Sequence, residues 1–191
     1  MGKSVIFNYL TGKYVTVSNY PGTTVEVTSG TMATREGKLQ VLDTPGVNSL
    51  IPMSEDEKVT RDILLREPRA HLVQVMDAKN LRRGLSISLQ LLEMGFSFLA
   101  ILNMWDEAKS RGIEIQSQTL AKTLGVPILT TVATRNKGLD KIKDHLHSRA
   151  PSSVSMTYPE AIEEGLSQII PLLPEAPVSR RSLALMLLAG D

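Results

Sequence analysis

The chain has no cysteine, so it holds no disulfide and no thiolate metal site, and its composition suits a reducing compartment. Aromatic residues are scarce at 4%, which argues against a base-stacking platform for single-stranded nucleic acid. Neither sign of charge prevails: 21 Lys and Arg face 20 Asp and Glu, for a net charge of +1. There is thus no bulk electrostatic footprint for nucleic acid or for an acidic membrane surface. No run reaches the roughly 18 apolar residues that a spanning helix needs. The apolar tail Leu183 to Ala189 is too short and reads as a buried helix face. The start is not a signal peptide, because Lys3 is followed by polar residues within a few positions. Three histidines are present, and His145 and His147 stand two apart on a predicted helix, facing different sides. They read as solvated or capping groups rather than metal ligands.

What remains is ordinary for a globular protein: 191 residues, 42% hydrophobic and 21% charged. That length allows one well-buried domain and a small appendage. The pattern predicts a helix over Val5 to Leu10 stopped by Thr11-Gly12, then a breaker-rich loop over 13–24. A hairpin of two short strands follows, around Val25–Ala33 and Leu39–Leu42, implying one antiparallel pair. Ser54 to Leu65 is helical, with Ser54 at the N-cap and acidic residues in the first turn. From Leu72 onward, strands (72–76, 96–102, 126–131) alternate with helices (85–93, 117–124, 139–148). That alternation predicts a three-layer α/β domain with a mostly parallel sheet. Residues 150–157 read as a Pro/Ser-rich linker, and two Pro-punctuated helices end the chain. No internal repeat is visible.

The chemistry-bearing motifs come in a fixed order. Gly2-Lys3-Ser4 matches the end of the phosphate-binding loop G-x-x-x-x-G-K-[ST]. In such loops a lysine reaches the β- and γ-phosphates, and the following hydroxyl ligates Mg²⁺. Thr23 and Thr24 lie in the next loop, where a threonine can meet Mg²⁺ once a γ-phosphate orders it. Asp43-Thr44-Pro45-Gly46 ends a strand: the acid can hold Mg²⁺ through water, and the glycine N–H can meet a γ-phosphate. Asn103-Met104-Trp105-Asp106 ends the most apolar strand, and an aspartate there can accept the two N–H groups of a guanine edge. Ala133 and Thr134 follow the next strand and could offer a backbone N–H to the guanine 6-oxo group. Each motif alone also fits an ordinary strand-end turn. Together they all fall at the carboxyl ends of strands, where open α/β sheets bind ligands. The combination points to a Ras-like P-loop GTPase fold.

Those stretches also carry a narrower resemblance. GKSVIFNYLTG, NYPGTTVE, LDTPGVNSL, SEDEKVTRDILL, MDAKNLRRGLSISLQLLEMG, LNMWDEAKSRGIEI, LGVPIL and VATRNKGLDKIK resemble the cytosolic N-terminal part of the FeoB family of bacterial ferrous-iron transporters. RRSLALMLLAGD resembles the helical domain that follows the G domain in that family. Met104 stands in place of the lysine of the usual N-K-x-D, a family habit. The resemblance implies a G domain over 1–149 and a partial helical domain over 150–191. It implies GTP or GDP with Mg²⁺ as ligands. Gly2, Lys3, Ser4 and Gly46 would meet the phosphates, and Ser4, Thr24 and Asp43 the metal. Asn103, Asp106, Ala133 and Thr134 would meet guanine. Thr23 and Thr24 would belong to a first switch (14–26), and Asp43, Thr44, Pro45 and Gly46 to a second (43–58). It further implies slow, potassium-stimulated hydrolysis of GTP to GDP and phosphate. It places the chain at the cytoplasmic face of the bacterial inner membrane, regulating Fe²⁺ uptake with a membrane pore domain as partner. Nucleic acid is not an expected partner, and a homo-oligomer is left open. No catalytic residue is assigned, because Val47 stands where a water-positioning glutamine would follow Gly46.

The sequence departs from the family at its start: the first strand and most of the phosphate loop precede no GKS here. The text therefore reads as cut at both ends. The family's loop asparagine, implicated in the potassium effect, is also not present. The absent strand is normally central, so its neighbours would keep unpaired N–H and C=O groups. Each lost apolar side chain is worth roughly 1.5–3 kcal/mol against a total stability of about 5–15 kcal/mol. Turnover in the chain as written is expected to be weakened or lost. Other readings are a non-catalytic interaction module, a ribosome- or RNA-associated GTPase, disfavoured by the neutral charge, and an ATPase, which would leave Asp106 idle.

Overall fold

In a computed structural model, residues 2–12, 15–34, 37–146, 154 and 156–190 are described. The first helix, α1 (Lys3–Thr11), ends where Gly12 takes a positive φ of 75° and returns its amide to Asn8 O at 2.9 Å. Three strands follow: β1 (Val15–Asn19), β2 (Glu26–Thr34) and β3 (Gly37–Asp43). They form one antiparallel sheet in the order β1-β2-β3. Residues 15–19 are thus a strand where breakers predict loop. Their β-branched run Val15-Thr16-Val17 pairs with β2, and only Tyr20-Pro21-Gly22 and its neighbours make the turn. The hairpin closes with Tyr20 N–H on Val25 O at 2.8 Å.

Helix α2 (Glu55–Arg66) starts at the predicted cap, Ser54, whose hydroxyl accepts the Glu57 amide. Then β4 (Leu72–Asp77), α3 (Leu81–Glu93), β5 (Phe98–Asn103), α4 (Trp105–Ser110), α5 (Ser117–Leu124) and β6 (Ile128–Thr130) build a parallel sheet in the order β4-β5-β6. β5 is central and buried along its whole length, which explains its near-continuous apolar sequence. Its side chains alternate between two cores. Phe98, Ala100 and Leu102 join a cluster with Leu91, Leu92 and Leu124, while Leu99 and Ile101 join Ile6, Met32, Leu139 and Ile142. Helices therefore cover both faces, giving the three-layer α/β arrangement.

β3 and β4 are edges of separate sheets, yet Leu39 and Val41 of β3 and Val73 and Val75 of β4 pack on the same cluster as α1. Helix α6 (Ile142–His145) is shorter than the helix predicted over 139–148: residues 139–141 and 146 lie outside it as turn or irregular backbone, and 147–148 fall outside the described residues. Most of the predicted linker lies outside them too. Helices α7 (Glu160–Ile169) and α8 (Arg180–Leu188) complete the chain, and Val178 and Leu183 pack on the larger core. Among the described residues, no helix is long and apolar enough to cross a membrane.

Candidate functional site

The ends of β3 and β5 meet the start of α1. Lys3 Nζ bonds Asp43 Oδ1, and Ser4 Oγ donates to Asp43 Oδ2 at 3.0 Å. The side chain of Asp43 is 9% exposed and that of Lys3 31%. The lysine, the hydroxyl and the acid predicted to share a phosphate–Mg²⁺ site are thus in mutual contact. Gly2 sits at φ 81° directly on Asn103, and a Cβ there would collide with the Asn103 amide. Only glycine meets both demands.

Asn103 is 3% exposed and works as a brace. Its Oδ1 accepts Thr131 Oγ1 at 3.0 Å and the Ala133 N–H at 2.9 Å. This ties the end of β5 to the single-turn 3₁₀ helix Ala133–Arg135. The Ala133 amide, expected to face a guanine 6-oxo group, is therefore already donated to Asn103. Met104 takes a left-handed conformation, φ 59°, and turns the chain sharply into α4. Asp106 follows in the first turn of α4. Its Oδ1 accepts the Glu107 amide at 3.0 Å, and its Oδ2 lies 3.5 Å from Arg135 Nη1. Thr134 sits between Ala133 and Arg135 on the same turn.

The switch threonines are placed differently. Thr24 Oγ1 donates to Glu55 Oε2 at 3.3 Å, at the start of α2, rather than to the Ser4–Asp43 pair. Thr23 shapes the hairpin turn, its hydroxyl donating to Tyr20 O at 3.0 Å and accepting the Val25 amide at 3.2 Å. Thr44 bonds Pro45 O, and Thr60 of α2 bonds the same carbonyl, each at 3.4 Å. Gly46 is exposed, and Val47 turns into the larger core.

The loop after Gly46 has an organiser that the motif reading missed. Glu57, 7% exposed, accepts the amides of Asn48 and Ser49 on Oε1, at 3.1 and 3.2 Å, and that of Met53 on Oε2, at 2.9 Å. The Met53 bond, more than the others, holds its carboxyl below the usual carboxylate range, against the opposing effect of burial. The signal was in the sequence: Ser54-x-x-Glu57 is a capping box. Helix α3 supports the same loop, with Arg83 Nε on Asn48 Oδ1 at 2.6 Å and Gln90 Oε1 on the Leu50 amide at 2.7 Å. At its other end, Glu93 accepts Arg181 Nε of α8 at 2.8 Å. Arg181 also grips Glu163 of α7 at 2.9 and 2.6 Å and Met156 O at 2.8 Å.

The donor set fits a hard divalent cation such as Mg²⁺ at one end: a hydroxyl and a carboxylate, adjacent at the helix start. It fits two-point recognition of a base edge at the other.

Residues 1–146 match the N-terminal family model of Ferrous iron transport protein B. The chain is 33% identical over 198 residues to the Fe(2+) transporter FeoB of Escherichia coli K12, covering 100% of this chain and 26% of that protein. It is 36% identical over 177 residues to the Staphylococcus aureus (strain COL) FeoB, covering 91% and 26% respectively. The chain thus spans about a quarter of the length of these curated relatives. Among solved structures, the cytosolic domain of the T. maritima FeoB iron transporter in a GDP form superposes with a TM-score of 0.90 at 31% identity. That match covers 100% of this chain and 78% of the other. The GMPPNP form of the same domain gives 0.90 and 32%, covering 100% and 77%.

Proposed function

Because this chain belongs to the N-terminal family of Ferrous iron transport protein B, we propose that it is the guanine-nucleotide-binding part of a ferrous-iron transporter. In this role it works at the cytoplasmic face of the bacterial inner membrane, with a pore domain as partner, over a G domain of 1–149 and a helical part of 150–191. The observation that carries the reading is the convergence of Lys3, Ser4 and Asp43 at the start of α1, next to Asn103, which braces the Ala133–Arg135 turn whose Arg135 faces Asp106. A nucleotide bridging the two places its phosphates by Lys3 and its base by Asp106.

In the proposed mechanism Lys3 leaves Asp43 for the phosphates, because the phosphate charge outweighs one carboxylate. Ser4 and Asp43 are the residues that would hold Mg²⁺, and the ion would supply charge neutralisation for the phosphates. Gly46, exposed three residues after Asp43, offers its N–H to a terminal phosphate, and Asp106 receives the base. Asn103 acts at second hand, fixing the two loops around the base. To serve as a metal ligand, Thr24 would first have to give up its bond to Glu55. With Val47 packed in the core, water positioning for GTP hydrolysis falls to other groups, consistent with slow turnover. The test is mant-GDP binding with Mg²⁺ or EDTA. Lys3→Ala should weaken binding at least tenfold, and Asp43→Asn should remove most of the Mg²⁺ dependence. Binding unchanged by both substitutions would overturn the phosphate-site assignment.

A further inference from the structure

Asp106 meets a cation as well as a base edge. Its Oδ1 already accepts the Glu107 amide at 3.0 Å, and its Oδ2 lies 3.5 Å from Arg135 Nη1. Each carboxylate oxygen thus has a partner before any base arrives. The backbone that presents Arg135 is tightly held. Arg135 N–H bonds Val132 O at 3.0 Å, Asn136 turns left-handed at φ 53°, and Val132 and Lys137 exchange hydrogen bonds at 3.1 and 3.2 Å. Asn103 fixes the same turn to β5 through the Ala133 amide. The guanidinium itself is free to swing, being 65% exposed, whereas the Asp106 side chain is 35% exposed.

We propose that Arg135 is a latch on the base-reading carboxylate, a positioning residue that guanine must displace from Asp106 Oδ2 and that thereby tunes base selectivity. This rests on the reading of Asp106 as the guanine acceptor. Guanine presents N1–H and N2–H₂ side by side and needs both oxygens. Hypoxanthine presents N1–H alone and needs one oxygen only, so it leaves Oδ2 to Arg135. Arg135 therefore costs guanine more than hypoxanthine. The pair is exposed and loosely spaced, so the effect is modest: up to about fivefold in affinity. Salt weakens the latch by screening it.

The experiment is a titration of the full chain with mant-GDP, with unlabelled GDP and IDP as competitors, at low and high salt. Wild type, Arg135→Ala, Arg135→Gln, Arg135→Lys and Asp106→Ala are compared. Arg135→Ala and Arg135→Gln should bind GDP up to about fivefold tighter at low salt while IDP moves much less, so the GDP/IDP ratio rises. Arg135→Lys should keep the wild-type ratio, and high salt should close the gap between wild type and Arg135→Ala. Equal weakening of both nucleotides, or no change in either, overturns the latch. If Asp106→Ala loses the guanine preference while Arg135→Ala changes nothing, the latch alone fails. If Asp106→Ala binds GDP as wild type does, or no variant binds, the Asp106 reading fails and the latch with it.

Discussion

Replacing Glu57 by glutamine should loosen the loop that follows Asp43-Thr44-Pro45-Gly46. The amide oxygen can still accept from Asn48 and Ser49, but its NH₂ then faces the Met53 N–H, donor to donor. One charge-assisted bond is lost and two are weakened. Hydrogen bonds to charged groups contribute about 1.5–3 kcal/mol each. Asn48 and Met53 are exposed residues, so water takes over their amides and discounts the loss. The net cost is roughly 2–3 kcal/mol, or about 1 M in the urea midpoint at a slope of about 2–3 kcal/mol/M. Amide hydrogen exchange over 48–53 should accelerate in the same variant. The pH dependence carries a sign. The folded state lowers the Glu57 carboxyl below 4.5, so its stabilisation is complete above that value. It is lost as pH falls through the lowered native value, and the gap between wild type and Glu57→Gln should shrink on acidification. A midpoint indistinguishable from wild type at neutral pH, or a gap that persists at low pH, would refute the reasoning.

Arg181→Ala should release α7 and α8 from α3. It strands Glu93, whose side chain is only 5% exposed, at a cost of roughly 2–3 kcal/mol, the partial exposure of Arg181 discounting the full penalty for a broken buried pair. Limited proteolysis should then cut sooner within 156–190. Arg181, chiefly by hydrogen bonding, lowers the Glu163 carboxyl from 4.5 to about 2. The docked helices should therefore hold above pH 4.5 and lose this contact as pH falls toward about 2, followed by the same proteolysis. Gly138→Ala should destabilise by at least about 1–3 kcal/mol in urea, because φ is +76° and the new Cβ would lie 2.5 Å from Thr130 O.

Much of this was legible in the sequence for physical reasons. β5 announced itself because a strand buried on both faces must be apolar throughout, and α2 because Ser54 and the acidic first turn are the chemistry of a helix start. Gly2, Lys3 and Ser4 could be picked out as a Gly-Lys-Ser helix start, and Asp43, Asn103 and Asp106 because they stand at or just after strand ends in a fixed order. β1 was hidden because its residues are all exposed and leave no alternating pattern, while the Pro-Gly turn beside it dominates the local signal. The bond between Thr24 and Glu55, the diversion of the Ala133 amide to Asn103 and the loose ion pair of Arg135 with Asp106 are long-range pairings that no local pattern encodes. Glu57 was half visible: its spacing from Ser54 gives the cap, but its hold on Asn48 and Ser49 depends on how the loop folds back.

The most direct test of the central claim is a competition titration of the 191-residue chain with a fluorescent GTP analogue and Mg²⁺, displaced by GTP or by ATP, beside its Asp106→Ala variant. The account predicts displacement by GTP at concentrations at least tenfold below those of ATP, and loss of that preference in Asp106→Ala. Equal displacement by both nucleotides, or a preference that survives the substitution, would contradict it.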